Sequence, residues 1–403
     1  MTAISVVGSV PTIVAGAVVL QTLLSALFQQ AYGVYATFWM AEFGWSSTTI
    51  ALAYSLHRTE SALLGPPHGW LLQRFSPRVV VLAGVVMLGA GFMWLSVVPG
   101  LAQFIGAFLV MAVGASLAGL LSLTTVLVNW FDRHRAKALS LMATGMSLGG
   151  VAIPLVTLAM VSFGWRGVAF GSGVLVLLIG IPVSRFMHRE PEQFGLLPDG
   201  ATVAADGTSA RTAPIRPALT AGAALRTRTF WQLSVGHTAG VTIVSAIGVH
   251  FVIFAENAVG ISVTLAASLL MVMTLLVMLG QLIGGFYGDR VDKRYLAGTG
   301  MLGHAAAVAI LAYAGSTAAL VAAAVLHGLA WGLRGPLMSA MRADYFGRAS
   351  FAMIMGASSL IVTLGSVGGP LLAGILVDTT GSYRLAFLIL TGVSVVGAAA
   401  FFL

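Results

Sequence analysis

The chain has 403 residues, of which 58% are hydrophobic and 8% charged, against about 25% charged in soluble domains. Such a composition excludes a soluble domain of this size, and the absence of cysteine excludes disulfides, thiolate metal sites and thiol redox chemistry. The net charge of +8 does not point to nucleic acid, because the basic residues sit in short loops between apolar blocks rather than on one face or tail.

Apolar blocks of about 20 residues or more recur along nearly the whole chain, each long enough to cross a hydrocarbon layer of about 30 Å. They predict helices over 13–40, 47–72, 78–99, 102–130, 136–161 and 165–187. The first block is preceded by no basic region or small-residue cleavage site, so it is expected to be retained as a helix. Residues 188–228 then carry Pro191, Pro198, Pro214 and Pro217 among scattered Asp, Thr, Ser and Arg, the composition of a linker. Six further helices are expected at 229–257, 262–287, 295–315, 317–341, 350–377 and 383–403. The expected fold is an all-α polytopic membrane protein with twelve transmembrane helices in two six-helix halves, 1–187 and 229–403, joined by 188–228. If the N-terminus is cytoplasmic, 16 of the 20 Lys and Arg residues, Arg342 and Arg348 among them, fall in cytoplasmic loops, while Arg166 and Arg384 alone lie opposite. This bias predicts cytoplasmic termini and linker.

The halves repeat each other. Gly69-Trp70-Leu71-Leu72-Gln73-Arg74 aligns with Gly285-Phe286-Tyr287-Gly288-Asp289-Arg290 at an offset of 216 (285 − 69), which also carries Gly44 onto Gly260, Ser46 onto Ser262, Gly149 onto Gly365 and Pro154 onto Pro370. Halves with an even number of helices make this a parallel repeat, pseudo-symmetric about an axis along the membrane normal. Twelve helices, a central loop and this repeat resemble the major facilitator superfamily, whose pattern after the second helix is Gly-x-x-x-Asp-Arg-x-Gly-Arg-Arg. Here the first copy runs from Gly69 to Arg78 with Gln73 in the Asp place, and the second, Gly285 to Arg294, keeps Asp289 and Arg290. Tyr32-Gly33-Val34-Tyr35, Glu42-Phe43-Gly44-Trp45-Ser46 and Tyr345-Phe346-Gly347-Arg348 resemble the monocarboxylate and oxalate–formate branch. That resemblance implies a carboxylate-binding Arg on the eighth helix, four residues before the motif glycine; Gln281 stands there, which either argues against simple lactate-like transport or moves the anion-binding role elsewhere.

An ionisable side chain inside a bilayer costs roughly 3 kcal/mol or more unless paired or facing water, so each one demands an account. The second helix carries His57, Arg58 and Glu60 near its middle. Either Glu60 or His57 couples transport to protons while Arg58 binds an anion, or Arg58 and Glu60 pair with neighbouring helices. On the tenth helix His327, Trp331, Arg334 and Met338 share one face. The resemblance implies that this helix, with the first, fourth and seventh, lines a central cavity, where the planar fork of Arg334 suits a carboxylate or phosphate. The alternative role for Arg334 is to hold its helix to the Gly335-Pro336 break or to the eleventh helix. Gln30, Tyr32 and Tyr35 on the first helix and Thr242 on the seventh are further candidate substrate contacts, although polar stripes between packed helices look the same. His237, His250 and His304 read as helix-end or packing residues. Gly69, Arg74, Arg78, Asp289 and Arg290 form the loop latches; Asp289 can accept from a helix N-terminus or from an Arg across the interface between halves, and the resemblance implies that such ties hold the outward-facing state.

These residues point to a secondary transporter for a small organic anion, proton-coupled or exchanging, in a bacterial cytoplasmic membrane. The rivals are efflux of a lipophilic or cationic compound and, from another class, a non-transporting membrane sensor. No cofactor, metal or nucleic-acid partner is expected. A primary pump is disfavoured by the absence of a Gly-x-x-x-x-Gly-Lys-Ser/Thr loop, and an enzyme by the absence of His-Glu-x-x-His or a nucleophile constellation.

Overall fold

A backbone surrounded by hydrocarbon must satisfy its own N–H and C=O groups, and the apolar blocks accordingly fold as helices. The structure, a computed structural model, describes residues 10–46, 49–50, 52–53, 60, 63–201 and 219–402. Its principal helices are α1 (Val10–Phe43), α2 (described over Gly65–Arg74), α3 (Pro77–Leu95), α4 (Leu101–Trp130), α5 (Arg135–Val151) and α6 (Ile153–Ser184). They continue as α7 (Arg228–Asn257), α8 (Val263–Gly288), α9 (Lys293–Ala312), α10 (Thr317–Phe346), α11 (Phe351–Thr380) and α12 (Tyr383–Phe402). Among the described residues ten segments are long and apolar enough to cross a bilayer, all of these but α2 and α5. Large apolar side chains such as Leu155, Val161, Phe163 and Leu364 point outward, as a lipid-facing surface requires.

Local sequence sets the boundaries. Gly44 ends α1 and Gly260 closes the turn that follows α7, both at positive φ (65° and 78°), a conformation that costs glycine little. Two residues on, Ser46 and Ser262 accept from the backbone N–H of Thr49 and Leu265, so both copies of the repeat start the next helix with a serine cap.

Four features depart from the expected helices. The chain makes a π-turn over Ser25–Gln29 inside α1, beside the hydrogen bond from Ser25 Oγ to the Met146 carbonyl (2.8 Å). The fifth span is interrupted at Ala152, just ahead of Pro154, and resumes as the start of α6; Gly164 (φ 72°) then separates it from the sixth. The tenth helix runs on to Phe346, which corrects the placement of Arg342: it is 1% exposed inside a helix, not in a loop, and leaves the basic loop count. The first part of the linker is also tied down. Asp199, itself at φ 61°, accepts from the backbone N–H groups of Asp132, Arg133 and His134, and Trp130 Nε1 donates to the His188 carbonyl.

The chain divides into two compact units, residues 1–134, 142–216 and 348–356 in one, and 135–141, 217–347 and 357–403 in the other. Both use the same glycine seam. In the first unit Gly145 of α5 meets the Val18 carbonyl and Thr22 of α1; in the second, Gly365 of α11 meets the Thr238 carbonyl and Thr242 of α7. The offset is 220 on each helix (365 − 145 and 242 − 22). The seam therefore pairs Gly145, rather than Gly149, with Gly365. Without Cβ atoms the backbones approach closely enough for dispersion and backbone contacts to hold helices that hydrophobicity alone would not drive together in lipid.

Candidate functional site

In the second unit α7, α9 and α10 surround Arg334, which is 1% exposed. Glycines create the space for it. A Cβ on Gly240 of α7 would fall 2.4 Å from the Arg334 Cζ, and one on Gly300 of α9 would stand 3.3 Å from its Cβ. The guanidinium thus lies flat on the α7 backbone, with Nε and Nη1 buried and unpartnered. Two turns further along α10, Arg342 is equally buried and donates to the Met338 carbonyl (2.9 Å), Ser358 Oγ (2.7 Å) and His237 Nδ1 (3.3 Å). Neither arginine forms an ion pair among the described residues. Both charges act on His237. Along α10 from Arg334, His327 Nδ1 lies 3.1 Å from His304 Nδ1, with both rings buried, and the Trp331 ring is tilted at 58° to His327, centroids 6.4 Å apart.

The result is a buried cluster of guanidinium and imidazole groups with no carboxylate partner among the described residues. Leaving a buried charge uncompensated costs several kcal/mol, and two in one bundle are expensive unless an anion visits. The sequence pointed to Arg334, His327 and Trp331. Arg342 reads as a loop residue from sequence because it sits four residues from the end of its helix, beside Asp344; His237 and His304 read as packing residues because one histidine in an apolar helix carries no partner information.

The other candidates lie elsewhere. Tyr32 donates to the Ile50 carbonyl (2.7 Å), and Tyr35 stacks on Trp39, which packs on Phe104; these form an aromatic core in the first unit. Gln30 is exposed at the end of the π-turn. Thr242 donates to the Thr238 carbonyl and takes part in the α7–α11 seam. Glu60 accepts from Ser116 Oγ (3.3 Å). His57 and Arg58 lie outside the described residues.

Among the latch residues, Asp289 accepts from the backbone N–H groups of Ala136 (2.8 Å) and Lys137 (2.9 Å) at the start of α5, within the second unit. A carboxylate there completes the orphan donors of the first turn and meets the positive end of the helix dipole. Asp344 of α10 reinforces this end, pairing with Arg135 and with Lys293 (2.9 Å). In the first unit Gly69 packs on the Ala352 carbonyl at the start of α11, while Arg189 Nη2 donates to the carbonyls of Leu72, Gln73 and Phe75. Beside Gln73 lies a cavity of about 440 Å³, lined by Thr125, Asn129, Arg189, Glu190, Arg348 and Ala352 among others. Arg74, Arg78 and Arg290 are exposed, Arg290 stacking over Phe286 at 3.7 Å.

Paired glycine seams, repeated caps and ten apolar spans among the described residues define a membrane protein built from two related halves. The sequence profile of the Major Facilitator Superfamily matches residues 18–277 and 233–403, and the chain belongs to that family. It is 26% identical over 366 residues to the MFS transporter asaE of Aspergillus flavus, covering 88% of this chain and 77% of that one. It is 27% identical over 388 residues to the oxalate:formate antiporter of Oxalobacter formigenes, covering 93% and 86%. Its fold is similar to that of the transporter FucP, crystallised in an outward conformation, with a TM-score of 0.76, 15% identity and 98% of both chains covered. Family and fold are those of multi-pass membrane transporters acting on small molecules.

Proposed function

We propose that this chain is a secondary transporter of a small organic anion, in particular a carboxylate, working by alternating access and coupled to protons or to exchange. The observation that carries the reading is Arg334, a buried guanidinium with two unpartnered nitrogens and no ion pair among the described residues. A carboxylate would accept from its planar fork and remove the penalty of an unpaired buried charge. Arg342 adds positive potential to the same bundle. Arg58 remains a candidate second anion ligand and His57 a candidate proton carrier, with Glu60.

The halves 1–187 and 229–403, joined by 188–228, are the proposed moving parts, with termini and linker on the cytoplasmic side of a bacterial inner membrane. Gly69, Arg74, Arg78, Asp289 and Arg290 are proposed to stabilise one end of the transport cycle, with Gln73 making the first copy the weaker latch. Efflux of lipophilic compounds is the second reading. It is favoured by relatives such as the fujikurins efflux protein of Gibberella fujikuroi, 29% identical over 155 residues, 37% of this chain and 32% of that one.

The test is a ligand panel of carboxylates, sugars, amines and lipophilic drugs, scored by thermal stabilisation of the purified protein. Carboxylates should stabilise the parent and fail to stabilise Arg334→Gln. Stabilisation confined to lipophilic drugs would replace the anion reading with efflux.

A further inference from the structure

Two imidazoles meet where α9 packs on α10. His304 and His327 are 0% and 1% exposed, their Nδ1 atoms are 3.1 Å apart, and the ring planes are inclined at 60°. Two lone pairs at that distance repel and two hydrogens clash, so one ring carries hydrogen on Nδ1 and donates to the other. The accepting ring then carries its own hydrogen on Nε2, and the donating ring presents a bare Nε2. His304 Nε2 is buried without a partner, and an open lone pair there is less costly than an orphaned N–H. His304 is therefore the donor, with one vacant basic nitrogen.

A proton arriving at His304 Nε2 makes an imidazolium without displacing any hydrogen. The shared hydrogen can then pass from His304 Nδ1 to His327 Nδ1, moving the positive charge one ring along while the number of protons held stays the same. Arg334 is the charged side chain whose field reaches both rings. Helix α7 contributes His237, which lies under the influence of Arg334 and Arg342. The remaining ionisable groups of the packed elements are Arg228, His250 and Glu256 on α7, Lys293, Arg294 and Tyr295 on α9, Arg342, Asp344 and Tyr345 on α10, Tyr287 on α8, and Tyr383 and Arg384 on α12. Burial first, and the charge of Arg334 second, oppose a positive charge on the histidine pair. An anion on Arg334 removes the guanidinium's share of that opposition.

We infer that His304 and His327 form a proton-binding site that takes up one proton when a carboxylate binds Arg334. This rests on the anion-carrier reading above and assigns its coupling to a histidine pair in the second unit rather than to Glu60 or His57. Linkage makes the effect reciprocal: anion affinity should rise as pH falls, by at most tenfold per pH unit for one proton.

Isothermal titration of the purified full-length protein with formate, lactate and oxalate, in buffers of different ionisation enthalpy between pH 5.5 and 8, counts protons taken up per anion bound. The expected result is uptake approaching one proton as pH falls, with affinity rising in step. His304→Asn, which keeps a hydrogen-bonding group near the Nδ1 position but has no basic nitrogen, should bind the anion with no proton uptake and no pH dependence. Anion binding to the parent without proton uptake would overturn the inference and leave the carrier reading intact. Uptake undiminished in His304→Asn would also overturn it, returning the proton to Glu60 or His57. If His304→Asn does not fold, the proton count of the parent still decides whether any proton accompanies the anion, and His304→Gln supplies the second variant. Failure of all three carboxylates to bind would remove the carrier reading, and this inference with it.

Discussion

At the scale of single residues the second unit turns on the match between Arg334 and Gly240. The guanidinium fits because α7 has no side chain there: a Cβ would lie 2.4 Å from Cζ. Gly240→Ala should therefore fold, since the far end of a flexible side chain can shift, but the fork would be displaced. We expect anion affinity to fall at least tenfold with a melting temperature within a few degrees of the parent, measured by ligand titration and thermal unfolding. Arg334→Lys keeps the charge and loses the planar fork. Loss of that charge-assisted pair should cost about 2–5 kcal/mol, roughly 30-fold or more in affinity, for Lys as for Gln. Parent-like binding by either variant would remove Arg334 from the site. Arg334 was legible in the sequence because a cation deep in an apolar block stands out. Its neighbour His304 was not, because a contact between residues 23 apart depends on which faces of α9 and α10 meet.

At the scale of helices, small residues decide which elements touch. A Cβ on Gly369 would lie 2.1 Å from the Thr242 carbonyl oxygen, whereas Gly368 has open space on that side. The obstruction at Gly369 is backbone, so α7 and α11 would have to part. Gly369→Ala should destabilise the protein by about 1–3 kcal/mol, while Gly368→Ala should be close to neutral, as read by thermal unfolding in detergent. Gly365 and Gly369 of α11 both close on Thr242, which the sequence alone offers as a substrate contact. The same polar stripe suits both roles until the packing is seen. Asp289 makes a parallel case at the start of α5. Asp289→Ala removes the acceptor for the Ala136 and Lys137 N–H groups and should cost about 1 kcal/mol, the usual value of a cap. An unchanged melting temperature would show those donors satisfied by water.

At the scale of the whole molecule, orientation follows from charge. Removing Arg342 from the loops leaves 15 basic residues on the proposed cytoplasmic side (16 − 1) against Arg166 and Arg384 opposite, still a strong bias. Single cysteines at Ser209 in the linker and Ser316 before α10, introduced into this cysteine-free chain, should report it. An impermeant thiol reagent added outside cells should label position 316 and spare 209; the reverse pattern would invert the topology.

The membrane class, the number of spans and the two-fold repeat followed from the sequence alone, because each is written in composition and local period. Apolar length fixes a span, and the recurrence of Gly44 with Ser46 at Gly260 with Ser262 marks the duplication without reference to any contact. Only the tertiary structure decided which buried polar groups meet. It brought Arg342 into α10 and His304 against His327, and it sent Tyr32 and Tyr35 into an aromatic core. The physical reason is that lipid offers helices no hydrophobic drive to bury one particular face. Close packing at glycines and buried hydrogen bonds choose the faces instead, and these depend on pairs of residues far apart in the chain.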